Sequence, residues 1–306
     1  MKKILLFIAV ALAAVNGFGQ CACCAGAGAG SSNGDYNTGI ITLPKHEMII
    51  EAYGDYRNIQ NGNALEEDEK LLKHMFIATA GVRYGITNKI TIAAILPYVF
   101  LHTNTGNDGG AGDLILLGSF AVYSKNNFNL ALQGGIELPA GTRKSSNFDN
   151  TTVVVGSGSY DPMAGIMFSK IWSNFILQGN ALFKYTTNGF GGNYYGSLAA
   201  HNISLAYKLK GEHLVCMLDS SFKKAAPAFS WSVFTGYYGE WLDKIKEDHE
   251  VDENSGYYGG FATVGTSISF GKWSMPFTLS LPVINEMNGD QNKTGIRLRA
   301  GIVRIL

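Results

Sequence analysis

The sequence predicts an all-β protein, a transmembrane antiparallel β-barrel of about 12 strands, and three observations lead there. Segments of roughly 10 residues alternate polar and apolar side chains. Their apolar sides have no visible partner layer elsewhere in the chain. An export signal stands in front of them. Side chains on a strand point to opposite faces in turn, so such a segment has one greasy and one wet side. In residues 129–138 the even positions carry Leu130, Leu132, Gly134, Ile136 and Leu138, and the odd ones Asn129, Ala131, Gln133, Gly135 and Glu137. The same period of two returns at 89–100, 113–123, 174–185 and 275–283.

The export signal is expected at residues 1–19. Lys2 and Lys3 form its basic region, residues 4–15 its apolar region, and Gly17-Phe18-Gly19 a small-x-small site with cleavage before Gln20. That apolar run falls short of the roughly 18–20 residues a spanning helix needs, and Gly, Asn or a charge interrupts every later one. An exported chain of this kind either dissolves or inserts as a barrel.

Composition favours insertion. Only 16% of residues are charged, against about 25% in soluble domains, while aromatics reach 12% and there are 38 glycines and 7 prolines. The 24 basic and 24 acidic residues cancel, which leaves no electrostatic footprint for a nucleic-acid partner. A soluble β-sandwich would also bury alternating apolar residues. It would not place tyrosines at the ends of so many strands on the apolar parity, as Tyr56, Tyr84, Tyr98, Tyr185 and Tyr207 are placed here.

Residues 20–44, rich in Cys, Gly and Ala, read as a flexible periplasmic segment that cannot build a core. Residues 45–306 read as the barrel. The expected strands are 45–56, 72–85, 89–100, 112–124, 128–140, 157–169, 173–186, 195–209, 229–243, 257–270, 274–284 and 294–306. Short turns at 87–89, 125–127, 172–174 and 271–273 alternate with longer polar loops at 57–71, 101–111, 141–156, 187–194, 244–256 and 285–293. That asymmetry predicts periplasmic termini. Residues 210–228 break the rhythm, as a turn plus an extra element or as a periplasmic excursion. The lipid-facing parity carries Phe76, Ile92, Leu96, Leu116, Phe120, Leu132, Phe175, Phe183, Leu205, Phe277 and Leu281, among others.

Several phrases carry a family resemblance. Residues 84–90 read YGITNKI and lead to Leu96-Pro97-Tyr98. Gly112-Asp113-Leu114, residues 137–142 (ELPAGT) and residues 156–161 (GSGSYD) follow. Later come Ser255-Gly256, Leu281-Pro282-Val283 and Asn288-Gly289-Asp290-Gln291. In this order, over residues 75–300, the chain resembles the outer-membrane transporter family named for the meta-pathway of phenol degradation. The resemblance implies a β-barrel that passes small solutes, hydrophobic or aromatic compounds among them. Residues 210–228 and the Cys-rich start depart from the family pattern.

Candidate site residues lie on the inward parity. Glu47, Glu51, Tyr53 and Asp55 face the lumen from the first strand, Arg83 from the second, and Arg297 and Arg299 from the last. Barrel closure puts the first strand beside the other two, so pairing between these acids and arginines is expected, Glu51 with Arg297 in particular. Such charges would either select permeant solutes at a constriction or lock the closure as a structural network. Asp113, Gln133, Glu137, Gln178, Asn180 and Lys184 would line a polar path or fill the lumen. Cys21, Cys23 and Cys24 could hold a soft metal ion such as Cu(I) or Zn, although one tail gives only three ligands and adjacent thiols also oxidise. Lipidation at Cys21 and a simple tether are the alternatives, and Cys216 leaves the pairing open. The acidic runs 66–69 and 247–253 read as solvated outer loops that could gather divalent cations.

Function is expected to be passive passage of small solutes with no cofactor, in an outer membrane whose lipid is the barrel's partner. The alternative is a plugged binding barrel whose Cys tail engages a metal or a partner protein. No enzyme is expected. His201 and Ser204, the only His/Ser cluster on a strand, fall on opposite faces and cannot form a dyad. The Gly-rich residues 109–112 lack the strand-to-helix setting of a phosphate cradle.

Overall fold

The computed structural model describes residues 42–60, 72–104, 106–142, 155–211, 229–289 and 291–306. Its elements are β1 (Met48–Gln60), β2 (Leu72–Thr87), β3 (Ile90–Thr103), β4 (Asn107–Ala111), β5 (Leu114–Lys125), β6 (Phe128–Leu138), β7 (Asp161–Trp172), β8 (Phe175–Lys184), β9 (Leu198–Lys210), β10 (Ser230–Leu242), β11 (Lys246–Glu247), β12 (Glu250–Val251), β13 (Tyr257–Phe270), β14 (Trp273–Met287) and β15 (Lys293–Ile305). A 3-10 turn, Phe190–Gly192, sits between β8 and β9.

Every wall strand pairs antiparallel with its chain neighbours, and β1 pairs with both β2 and β15, which closes the sheet. β4 and β5 both lie along β3 and are two halves of one wall strand, so the 13-stranded sheet is a barrel of twelve staves. Closure pairs each stave with a neighbour on both sides, the condition for a sheet in lipid, over all but one stretch of the β14–β15 seam. The two-stranded β11–β12 hairpin stands apart in a loop.

Alternation in the sequence becomes the two faces of this wall. The expected outward residues are exposed: Ile92, Leu96, Phe120, Leu132, Phe183 and Leu281 point away from the barrel, and Tyr98, Tyr185 and Tyr207 join them. Trp172, Trp231 and Trp273, near the ends of β7, β10 and β14, add to that aromatic rim. Arg304 lays its guanidinium over the Trp273 ring, 4.9 Å from its centroid. One end of the barrel carries tight turns, as at Asn126-Asn127, where both residues take positive φ (53° and 58°). That is the primed geometry matching strand twist, and asparagine tolerates it.

Two expectations change. Residues 101–111 are not a loop: β3 continues to Thr103 and β4 returns along it from Asn107 to Ala111. The wall strand breaks instead at Gly112-Asp113, where Asp113 is turned to other partners. Residues 212–228 lie outside those described, as do residues 1–41, where the expected export signal and most of the expected Cys-rich segment fall. β9 and β10 pair directly, Trp231 opposite Lys210, so that stretch links neighbouring staves.

The seam between β14 and β15 is incomplete. Its pairs are Trp273↔Arg304, Ser274↔Val303 and the four from Phe277↔Ala300 to Ser280↔Arg297. Residues 281–287 stay paired with β13, and Lys293 and Thr294 with β1, while no pair joins the two strands above Ser280 among the described residues. Pro276 and Pro282 both lie on β14, where they give no N–H to a ladder.

Candidate functional site in the barrel lumen

The lumen face of β1 presents Glu51, Tyr53, Asp55 and Arg57 in alternation, all buried. Each charge finds its partner within the wall. Arg83 on β2 donates from Nε and Nη2 to Glu51 Oε1, both at 3.0 Å. Arg57 Nη2 donates to Asp55 Oδ2 at 3.0 Å. The expected Glu51–Arg297 pair does not form. Closure sets Glu51 opposite Val303 and Arg57 opposite Arg297, six residues along the strand, too far for a side chain to bridge.

Arg297 instead reaches across the lumen to Glu240 on β10. Nη2 donates to Oε1 at 2.5 Å and Nη1 to Oε2 at 3.3 Å, a fork-on-fork arrangement. Tyr257 and Tyr238 donate their hydroxyls to the two oxygens of the same carboxylate, at 2.8 and 2.5 Å. Arg297 also lies 3.9 Å over the Phe261 ring, and Arg299 lies 4.3 Å over Tyr53. A second charged group sits on β6–β8. Lys184 Nζ donates to both Glu137 oxygens at 3.2 and 3.3 Å and lies 3.5 Å from Asp161 Oδ2. Gln133, Gln178 and Asn180 are buried, and Asn180 accepts from Asn202.

Asp113 ties down a loop. Its carboxylate accepts from the Gly141 N–H at 2.7 Å, the Ser157 N–H at 2.6 Å and the Ser157 hydroxyl at 2.7 Å. Two residues earlier, Val155 packs on the inward side chains Met75, Ile77, Val99 and Leu101. The chain around Val155–Ser159 therefore folds into the lumen at the long-loop end and narrows it.

Glu47 lies one residue before β1 and is half-buried. Burial raises its carboxyl above the ordinary range, and Lys272 opposes that rise. Of the acidic runs, 66–69 lies outside the described residues. Cys21, Cys23 and Cys24 do too, and no metal-holding group of three or more His, Cys, Asp or Glu occurs among the described residues. Nothing here supports a metal at that Cys cluster.

Sequence reading missed Arg57, Asp161, Tyr238, Glu240 and Tyr257. Arg57 was one residue beyond the expected end of the first strand, on the same parity as Glu51 and Asp55. Glu240 carried a usable signal, a lone carboxylate between Tyr238 and Leu242 on an inward parity.

Much of the lumen is apolar, which alternation alone did not reveal. Ile95, Ile115, Leu117, Met163 and Leu182 form one inward cluster across β3, β5, β7 and β8. Ile171, Ile176, Ala206 and Phe234 form another near the tight-turn end. Thr79, Arg83, Ser119, Thr278, Ser280 and Arg299 keep partial exposure on the inner face.

No family model matches the chain, and no curated protein matches it. Solved structures do. The COG4313 outer membrane channel from Pseudomonas putida F1 aligns with a TM-score of 0.60 at 15% identity, over 87% of this chain and 97% of its own. LpxR from Salmonella typhimurium aligns at 0.42 and 9% identity, over 84% and 99%. The KdgM porin aligns at 0.41 and 10%, over 84% and 98%. The chain thus has the fold of an outer-membrane β-barrel. Its resemblance to the phenol-degradation transporters extends to that barrel and no finer. The expectation that the chain is no enzyme is corrected. A barrel fold is a scaffold and function lives in the sites built on it, so the architecture does not decide whether the chain is an enzyme.

Proposed function

We propose that this barrel lets small apolar or amphiphilic solutes cross an outer membrane passively, with its tight-turn end and both termini in the periplasm. The observation that carries this is the apolar stretch of lumen from Met75 and Ile77 through Val99, Ile95, Ile115, Leu117, Met163 and Leu182. A barrel interior built for hydrated solutes is polar, because apolar walls give water nothing to bond to. Met75 and Ile77 share β2 with Thr79 and Arg83, so this buried apolar packing stands beside a partly exposed polar strip of Thr79, Arg83, Thr278, Ser280 and Arg299, a pairing suited to a solute with one greasy and one polar end. Glu51, Asp55, Glu137, Lys184 and Arg297 are then lumen-fixing pairs, and Arg83 and Arg299, which stay partly accessible, are the charges a solute meets. The likeness in fold to an outer membrane channel supports the reading.

The test is entry of an amphiphilic dye such as N-phenylnaphthylamine into porin-deficient cells making the barrel, beside swelling of proteoliposomes in arabinose. Dye entry should rise well above cells making an unrelated 12-stranded barrel, with slow arabinose swelling. Fast swelling with unchanged dye entry would replace this reading by a hydrophilic pore.

A further inference from the structure

Outside the lumen, at the long-loop end, two histidines face each other across neighbouring strands. His74 on β2 and His102 on β3 are register partners. Their rings stack with centroids 4.3 Å apart and planes 24° from parallel. Tyr56 of β1 closes the other side, its ring 5.5 Å from that of His74. His102 Nδ1 is hydrogen-bonded to the Asn107 side-chain oxygen. A carboxamide oxygen only accepts, so this bond puts the proton on Nδ1 and leaves the Nε2 lone pair bare. His74 makes ring contacts and no hydrogen bond among the described residues.

We propose that His74 and His102 form a two-histidine site for a borderline divalent transition ion such as Zn2+, with Asn107 as the residue that orients His102. Imidazole suits Zn, Cu and Ni. An imidazole whose second nitrogen donates to an oxygen is the usual form of a histidine ligand, since that bond fixes tautomer and ring angle. The directly opposed register holds the two rings side by side on rigid strands, so a turn of the side chains out of the stack, with no loop ordering, brings one nitrogen of each to a shared ion and little entropy is lost. Two positions beyond His102, Phe100 begins the apolar outer wall, so the pair stands at the rim, where water can complete the coordination.

Calorimetric titration of Zn2+ into the purified detergent-solubilised barrel tests this. His74→Ala and His102→Ala should each abolish the same single equivalent of bound zinc. Asn107→Ala should keep it and weaken it by about 10–100-fold. His249→Ala, in a loop away from the pair, should leave it intact. Each variant is checked for the heat-modifiable gel migration of a folded barrel. An equivalent that survives both single histidine substitutions in folded protein, or that His249→Ala removes, overturns the site. So does a wild-type barrel that binds no zinc beyond what chemical blocking of its thiols eliminates.

Discussion

Glu240 and Arg297 show what one residue pair costs and contributes inside a barrel. Both are buried, and the carboxylate holds four donors: two from the guanidinium and the hydroxyls of Tyr238 and Tyr257. Removing one partner strands the other charge in a low-dielectric interior, at about 3–5 kcal/mol, whereas replacing both with apolar residues of similar volume is often neutral. Glu240→Leu should therefore lower the midpoint of urea unfolding in detergent clearly, and Glu240→Leu with Arg297→Met should recover most of the loss. Equal damage in single and double variants would show that the pair is not acting as a unit. The residues of this group were only half legible. Arg297 stood out as an inward charge, but its partner lies across the lumen. No pattern along a chain reports which inward residues meet across a closed tube.

At the scale of elements, loops are held by single side chains. Asp113 takes three hydrogen bonds from the inward-folded segment after β6. Asp113→Ala removes them all and leaves the packing of Val155, the Phe190 N–H on the Ser157 carbonyl and the Thr142–Ala111 bonds, so the barrel should show larger and noisier single-channel conductance with its wall intact. Unchanged conductance would mean that the segment does not narrow the path. The β11–β12 hairpin adds a pH dependence. Partial desolvation, then Asp252 and Asp248, raise the Glu247 carboxyl above its usual value. A carboxyl raised in the folded loop favours the protonated form there. Its contribution is present below the ordinary carboxylate range and is lost as pH rises through the raised value. Amide exchange at Tyr194 and Lys246, which bond each other's carbonyls at 2.9 and 2.8 Å, should accelerate over that rise. Glu247→Gln should flatten the change. Wall strands were legible within a few residues because lipid on one side enforces strict alternation. Asp113 showed as inward, but its two partner residues, Gly141 and Ser157, lie in loops, where no period operates. The β4 return was taken for loop because Gly109-Gly110 reads as turn chemistry. These glycines sit in close quarters with the Val99 carbonyl and the Thr142 side chain instead.

For the whole molecule, closure is the central fact. Reading the first strand as neighbour to both the second and the last followed from barrel closure, and Arg83 of that second strand is the residue that donates to Glu51. It could not set the β1–β15 register, and a shift of several residues separated Glu51 from Arg297. The apolar lumen was hidden for a related reason. Ile95, Ile115 and Met163 sit on strands whose outer faces are apolar as well, and a period of two reports which residues share a face, not that both faces carry apolar side chains. The wall is also unequal in strength around its circumference. Hydrogen exchange should find the amides of residues 281–287 that do not face β13 exchanging fast, while those of β1, laddered on both sides, stay protected. Uniform protection would close the seam.

That open stretch of seam sets how high the protein rides in its bilayer. Backbone groups without a strand partner cannot sit among acyl chains, where nothing else would satisfy them. Among the described residues Asn285 serves two of them there, its side chain donating to the Thr294 carbonyl at 2.7 Å and accepting from the Thr294 N–H at 3.3 Å. The remainder demand water, so the hydrocarbon must end near Ser280. With β2 and β14 running 16 and 15 residues and roughly 9–11 enough to cross, the ends of the staves on that side stand clear of the hydrocarbon.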